Sequence, residues 1–402
     1  MEIILFLYFS FLLGIGVIAS KNVNNISDYY VGGKKLNYWI AALSARSTGE
    51  SGWLLLGVTG MGAVMGLSAF WIVLGEVIGV FLSWHFMAAK FKNLTDRYNS
   101  ITVPDFLHSH FNAKTNTIRI IAATALSAFV VIYVSAQIDI TGKTFESFLG
   151  YNYYNGIFIG FGIVVAYIFS GGFLAVAWSD IFQGSLMFVA LLILPIVAYF
   201  QLPTDTNFLQ GLRDIDPSLL NIWGDGGFNL LNAFSVIGLL SIGIGFLGSP
   251  QVYVRFIAIR DSAEIKKGKI VAVLYTLITS SSAVVIGMLG RFMFTTSNQN
   301  PELALGVAGE NVLYLLLIDI MPNVIVGFYI AALLSAVMST VDSLLVVASS
   351  AVTRDFYQQI INPNADSQLL INLSKKVTLA LAFFALFVAI SVSLLSPNRT
   401  IF

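Results

Sequence analysis

The sequence predicts an all-α polytopic membrane protein made of two inverted halves, and three observations carry that prediction. Hydrophobic residues make up 57% of the 402 positions and charged residues 10%, with a mean hydropathy of +0.83. A soluble domain carries roughly 25% charged residues. Apolar runs of about 17 residues or more, the length a helix needs to cross hydrocarbon, occur ten times along the chain. Two of those runs, five apart in order, are interrupted in the middle, and paired interruptions in oppositely oriented segments mark inverted repeats built around a central site.

The runs fall at 3–19, 38–64, 68–90, 118–140, 154–172, 178–200, 229–256, 268–294, 323–352 and 369–395. The first has Glu2 before it instead of a basic lead-in and shows no clear small-residue cleavage site, so it reads as a retained helix and not as a signal peptide. The second carries Ser44, Arg46, Ser47, Thr48, Gly49, Glu50, Ser51 and Gly52 at its centre. Backbone at membrane depth must satisfy its own hydrogen bonds unless protein or a water-filled cavity covers it. Ionisable side chains there are costly and mark substrate or ion paths. The stretch therefore reads as a broken helix with a binding site at the break. The seventh run is interrupted by Gly238, Gly243, Gly245, Gly248 and Pro250. One transmembrane domain over 1–402 follows: an extra N-terminal helix and loop at 1–37, a first repeat over 38–200, and an incomplete second repeat over 229–402 that lacks its closing helix.

Charge orders the loops. Lys21, Lys34 and Lys35, then Lys90, Lys92, Arg97, Lys114 and Arg119, then Arg255, Arg260, Lys266, Lys267 and Lys269, then Arg354, Lys375 and Lys376 account for 16 of the 21 basic residues and follow runs 1, 3, 7 and 9. The segments after runs 4, 6 and 8 hold mainly acids: Glu146, Asp205, Asp214, Asp216, Asp225, Glu302 and Glu310. Cytoplasmic loops carry the Lys/Arg excess, so the N-terminus is expected outside.

On run 9, Ser335, Ser339, Asp342 and Ser343 lie at i, i+4, i+7 and i+8, on one helical face with Thr340 beside them. Small residues at that spacing also serve close helix packing, which accounts for the serines but not for Asp342. Hydroxyl, carboxylate and freed carbonyl oxygens are what a hard alkali cation prefers, so this face reads as ion-coordinating. Asp180 near the start of run 6 is either a second coordinating carboxylate or a water-exposed residue capping its helix. Arg46 and Glu50, at i,i+4, either neutralise each other or grip a charged group on a solute. Glu76, Gln137 and Asp139 are candidates to face the same cavity.

Other chemistries are excluded. Zero formal net charge suggests neither a nucleic-acid partner nor a polyanionic substrate, and the chain has no cysteine for disulfides or thiolate metal sites. Gly243–Gly248 matches a dinucleotide fingerprint but lies inside a membrane run, without the strand the motif needs. His108 and His110 stand on a loop with no further candidate ligands, and no Walker motif, nucleophile elbow or zinc spacing is present. No enzyme reading survives.

The stretches ALSARSTGESGWLLLG (42–57), ITVPDFL (101–107), GGFLAVAWSDIFQGSLM (171–187), GFLGSPQVYVRF (245–256) and AALLSAVMSTVDSLLVVASSAVTRDFY (331–357) resemble the solute:sodium symporter family, most closely its bacterial sodium/proline symporter branch. The resemblance runs over essentially the whole chain. It implies the LeuT-like inverted-repeat fold with an extra N-terminal helix, lodged as a multi-pass protein in the plasma (inner) membrane. It also implies uptake of a small organic solute with one or two co-transported Na+ ions by alternating access, proline or a related amino acid being the leading solute. Other expectations are a symporter for a sugar, sialic acid or carboxylate, the membrane input of a sensor, or a non-transporting remnant. Lipid and solute are the partners implied, with no nucleic acid and no obligatory protein partner.

By the same resemblance, the main sodium site uses carbonyls near Ser47 and Glu50, the carbonyl of Ala336 and the hydroxyls of Ser339 and Thr340. A second sodium would take Asp180, Ser339, Asp342 and Ser343, and the solute would lie near Ser51, Tyr133, Gln137 and Phe246, to which the reading of the residues themselves adds Glu76. The chain departs from its proline-transporting branch at Gly49, where that branch has Asp, and at Ile242 and Phe246, where it has Trp and Tyr; Pro250 is kept. Family members also continue for several helices beyond the SPNRTIF at which this sequence stops.

Overall fold

The computed structural model describes residues 1–396 other than Thr206 and Asn298; the final stretch of the expected second repeat, 397–402, lies outside the described residues. Among the described residues eight stretches are long and apolar enough to cross a membrane. One of these, Tyr38–Arg97, turns back at Gly66, and Tyr153–Ala166 is a shorter apolar helix, so ten segments stand for the ten runs. The segments are α1 (Glu2–Ser20), α2 (Tyr38–Trp53, running on through Leu54–Val58 and Thr59–Met65) and α3 (Phe70–Leu82, running on to Arg97). They continue with α4 (Thr117–Leu149), α5 (Tyr153–Ala166), α6 (Gly172–Phe200) and α7 (Leu230–Gly245 and Pro250–Ala258). The last are α8 (Ser262–Phe294), α9 (Asn323–Ser350, extended by Ala351–Ile361) and α10 (Ser367–Leu395).

Two glycines part segments that hydropathy alone would merge. Gly66 (φ 57°, ψ −130°) reverses the chain between α2 and α3, and Gly172 (φ 55°, ψ −149°) separates α5 from α6 without a loop. Both sit at positive φ, where a side chain would be strained. Asn and Asp caps start most of the rest. Asp261, for instance, accepts from the N–H groups of Glu264 at 3.0 Å and Ala263 at 2.9 Å at the head of α8. The Glu264 amide, ahead of that of Ala263 and the Arg260 charge, holds the Asp261 carboxyl below the ordinary carboxylate range.

The ends of the helices sort onto two faces. On one, Lys34 meets Asp96 at 2.9 Å, the Leu36 N–H donates to Ala258 O at 3.0 Å, the Lys92 ammonium donates to Ile257 O at 3.1 Å, and Arg354 lies 3.7 Å from Asp105. The loops after α1, α3, α7 and α9, which carry the basic clusters, are therefore gathered together. On the other, the Tyr151 hydroxyl donates to Glu2, Trp71 Nε1 donates to Ile222 O at 2.8 Å, Gln201 reaches Ile320 O, and Lys143 lies 3.6 Å from Glu310. The alternation read from charge is the alternation of the fold. Three members of the basic clusters are buried within helices, however: Lys92, Arg119 and Arg255.

At the centre stands α9, in which every residue from Tyr329 to Ser350 is buried. It packs against α2, α4, α6 and α10, so a polar face on it is surrounded by protein on all sides.

Candidate functional site: a broken helix against α9

The break in α2 falls at Ser51, whose φ of 48° with ψ of −179° is non-helical. Such a conformation costs a non-glycine residue of order 1–3 kcal/mol and persists only where surroundings hold it. Three contacts do so. The Gly52 N–H donates to Gln137 Oε1 at 3.2 Å, the Trp53 N–H donates to Ser51 Oγ at 3.2 Å, and the Tyr133 hydroxyl donates to Ser51 Oγ at 3.1 Å. Gln137 and Tyr133 thus fasten the break to α4.

One turn earlier, α2 lies against the polar face of α9. Ser339 Oγ is 3.0 Å from Ser47 O and 3.2 Å from Ala336 O, and Thr340 Oγ1 is 3.2 Å from Thr48 O and 2.9 Å from Ala336 O. Two hydroxyls and three carbonyls from two helices converge, all on buried residues. The donors are neutral oxygens, the chemistry of an alkali-cation site. Among the described residues no group of three His, Cys, Asp or Glu is placed to hold a metal. The structure brings Ser47, Ala336, Ser339 and Thr340 together as expected. Thr48, not Glu50, supplies the second α2 carbonyl facing α9: the Gly52 N–H, four residues on from Thr48, goes to Gln137, while the Glu50 carbonyl accepts from the Leu54 N–H.

The residues named for a second ion lie one turn towards the basic face, and a side chain from α7 reaches them. Arg255 Nη2 is 2.9 Å from Asp180 Oδ2 and 2.5 Å from Ser343 Oγ, while its Nε donates to Ser44 Oγ at 2.9 Å. Ser44 Oγ in turn donates to Asp180 Oδ2 at 2.5 Å, and Ser343 Oγ donates to Asp342 Oδ1 at 3.2 Å. Asp180 is neither a helix cap nor water-exposed: it and Arg255 are both 0% exposed. Within the bilayer a buried carboxylate needs a cation, and here the protein supplies one.

A cavity of ≈ 830 Å³ starts at the break and runs between α2, α3, α4 and α7. Gly49, Trp53, Glu76, Tyr133 and Phe246 line its inner part, and Val103, Pro104, Leu107 and Gln251 lie along it towards the basic face. Glu76 is the one charged side chain among the described lining residues; Ser280 donates to it at 2.5 Å. Ser51 and Gln137 hold the break from behind the wall, and Asp139 lies apart, bonded by Tyr153 and 3.6 Å from Lys143 near the other face. Arg46 and Glu50 pair at 2.7 Å, fully buried, and Thr279 donates to the same Glu50 oxygen at 3.1 Å. The Arg46 guanidinium also sits 4.9 Å from the centre of the Phe246 ring, which covers it on the cavity side. A Cβ at Gly49 would stand 3.2 Å from Phe246 and 3.5 Å from Arg46. The space an Asp side chain would occupy there is already filled.

The sequence reading missed Thr48, Arg255, Thr279 and Ser280. Arg255 carried one usable signal: an arginine inside an apolar run demands an acid, and Asp180 stands inside another apolar run with no partner assigned.

Two broken helices in opposite orientation, flanking an oxygen-lined pocket at mid-membrane and a cavity open to one face, define a secondary transporter. The chain belongs to the sodium:solute symporter family, whose model matches residues 29–396. It is 34% identical over 385 residues to the high-affinity proline transporter PutP of Bacillus subtilis, covering 94% of this chain and 78% of that one. It is 30% identical over 389 residues to the sodium/proline symporter of Haemophilus influenzae, covering 95% and 76%. The fold matches that of a solved sodium-coupled sialic acid symporter, in its substrate-bound outward-open state, with a TM-score of 0.82 at 22% identity over 98% of this chain and 82% of the other. The LeuT-like fold, the multi-pass membrane setting, sodium as the co-transported ion and the absence of an enzyme activity stand on these findings.

Proposed function

We propose that this chain imports proline, or a close relative of it, across the plasma membrane with one sodium ion per cycle. The observation that carries the coupling is the convergence of Ser339 Oγ and Thr340 Oγ1 on the carbonyls of Ser47, Thr48 and Ala336, no contact longer than 3.2 Å. An ion there joins α2, which carries the break, to α9. The assignment to proline rests on the relatives, both proline transporters by name. It also fits a cavity whose one charged side chain among the described lining residues is Glu76, suited to the ammonium of an amino acid. Tyr133 and Phe246 would close around the ring, with Ser51 and Gln137 fixing the backbone beneath it.

The basic face is the cytoplasmic one and the N-terminus lies outside, in keeping with the Lys/Arg excess. The cavity then opens inward, and sodium binding favours the opposite, outward-open arrangement by tying α2 to α9. Coupling is reciprocal: sodium tightens solute binding by the factor by which solute tightens sodium binding. The membrane potential adds about 2.3 kcal/mol per charge per 100 mV to the driving force. At the second set of positions (Asp180, Asp342, Ser343) the Arg255 guanidinium reaches Asp180 and Ser343, which favours one ion over two.

Uptake of radiolabelled proline into proteoliposomes, with and without an inward sodium gradient, tests the reading. The expected result is sodium-dependent accumulation with a Hill coefficient for sodium near one. Flux of another solute with sodium would replace proline and leave the coupling. A Hill coefficient near two would return the Asp180 positions to a second ion. No sodium-driven flux of any solute would overturn the proposal.

A further inference from the structure

We infer that Tyr8, on the helix that belongs to neither repeat, is a positioning residue for the main sodium site. Tyr8 faces the protein from α1, 5% exposed overall, and its hydroxyl ends in the interior. Three groups from two other helices meet that hydroxyl. Ser335 Oγ on α9 lies at 2.9 Å, Gln183 Nε2 on α6 donates to it at 3.1 Å, and Met338 Sδ on α9 is 3.8 Å away. Ser335 is one turn before Ser339 on the same face, and Met338 is the neighbour of Ser339 in sequence.

The second helix at this junction touches the other half of the site. Gly184, next to Gln183, comes so close to α2 that a Cβ there would lie 3.3 Å from Ser47 Cβ. Met187 Sδ lies 4.0 Å from Ser47 Oγ. Tyr8 therefore pins α9 to α6 within a turn of Ser339, while α6 backs the α2 residue whose carbonyl faces Ser339. Groups that hold ligands without touching the ion commonly change affinity by tenfold or more in metal sites. Weak neutral donors such as these depend especially on being held in place. Through this junction the helix outside the repeats sets the rotation of α9 and so the spacing of the sodium donors.

This inference rests on the sodium-site reading but not on the identity of the solute, so its test is binding of radioactive sodium to the purified full chain in detergent. Tyr8→Phe keeps the ring and removes the hydroxyl; Ser335→Ala removes the partner. Each is expected to raise the sodium dissociation constant about fivefold. That equals about 1 kcal/mol, the net worth of one buried hydrogen bond, and the double variant is expected to do no more than either alone. Leu12→Ala, fully buried on the same helix with an apolar side chain, should leave sodium affinity unchanged. Unaltered affinity in Tyr8→Phe, or an equal loss in Leu12→Ala, would overturn the inference. Ser339→Ala is the reference: if it fails to weaken sodium binding, the main-site reading itself falls; if it weakens binding and Tyr8→Phe does not, only the role of Tyr8 falls.

Discussion

Ser339 and Thr340 show what a sequence can say about single residues. Adjacent hydroxyls on a helix that is otherwise apolar, in a span with Asp342, already pointed to an ion, and the structure sets both against carbonyls of α2. The full set of partners of Arg255 and the role of Thr48 were not legible, for different reasons. Arg255 finds Asp180, Ser44 and Ser343 on three other helices, and no spacing rule joins positions so far apart in the chain. The choice of Thr48 over Glu50 depends on where the break falls to within one residue, which composition does not fix. At this scale the sharpest prediction concerns the two hydroxyls. Ser339→Ala or Thr340→Ala should raise the sodium concentration for half-maximal uptake about tenfold or more, the scale on which disturbing a metal's surroundings acts. Protein abundance in the membrane should stay near wild type, because a small apolar side chain fills the same packing position. Unchanged sodium dependence in both variants would remove the site from this face of α9.

The helices themselves were nearly all legible, since each of the ten apolar runs corresponds to a helical segment. Their ends were not. α4 continues to Leu149, through Lys143 and Glu146, where the sequence suggested a loop. Its 33 residues span about 50 Å at 1.5 Å per residue, beyond a hydrocarbon core of about 30 Å, so charges at its end lie outside the apolar layer and do not stop the helix. The short helix Val103–His110 is not legible for a related reason: eight residues with two histidines give no membrane-length signal. Yet it lines the cavity towards the basic face, with Asp105 held 2.7 Å from Arg119. The break in α2 was the most legible element of all, and what holds it open is testable. Gln137→Leu removes the acceptor for the Gly52 N–H, leaving a buried donor unsatisfied at a cost of about 1–3 kcal/mol. The detergent-solubilised variant should unfold at a lower temperature and need more solute for half-maximal uptake. A variant matching wild type in both measurements would show that Gln137 does not secure the break.

For the molecule as a whole, the cavity open to the basic face requires the opposite face to be shut, and the contacts that shut it are visible. Lys143 at the end of α4 lies 3.6 Å from Glu310, in the segment between α8 and α9, and Phe148 packs edge-on against Tyr314 with ring centres 5.1 Å apart. The ion pair is long at 3.6 Å and its side chains keep 24% and 14% exposure, a loose contact that suits a segment that must open and close in every cycle. Alternating access then demands that this segment leave α4 when the outer side opens. The chain contains no cysteine, so Lys143→Cys with Glu310→Cys introduces the only two thiols present. A short bis-methanethiosulfonate, which joins the two thiols through disulfides with loss of methanesulfinate at each, is expected to stop uptake, and a reductant that cleaves those disulfides is expected to restore it. Sodium should slow the joining, since an ion between α2 and α9 draws the population towards the outward-open state, and it can do so only by as much as it prefers that state. Joined protein that still transports at the full rate would mean that this segment does not move with the cycle. Joining that sodium accelerates would reverse the sense of coupling, with the ion holding the outer face closed.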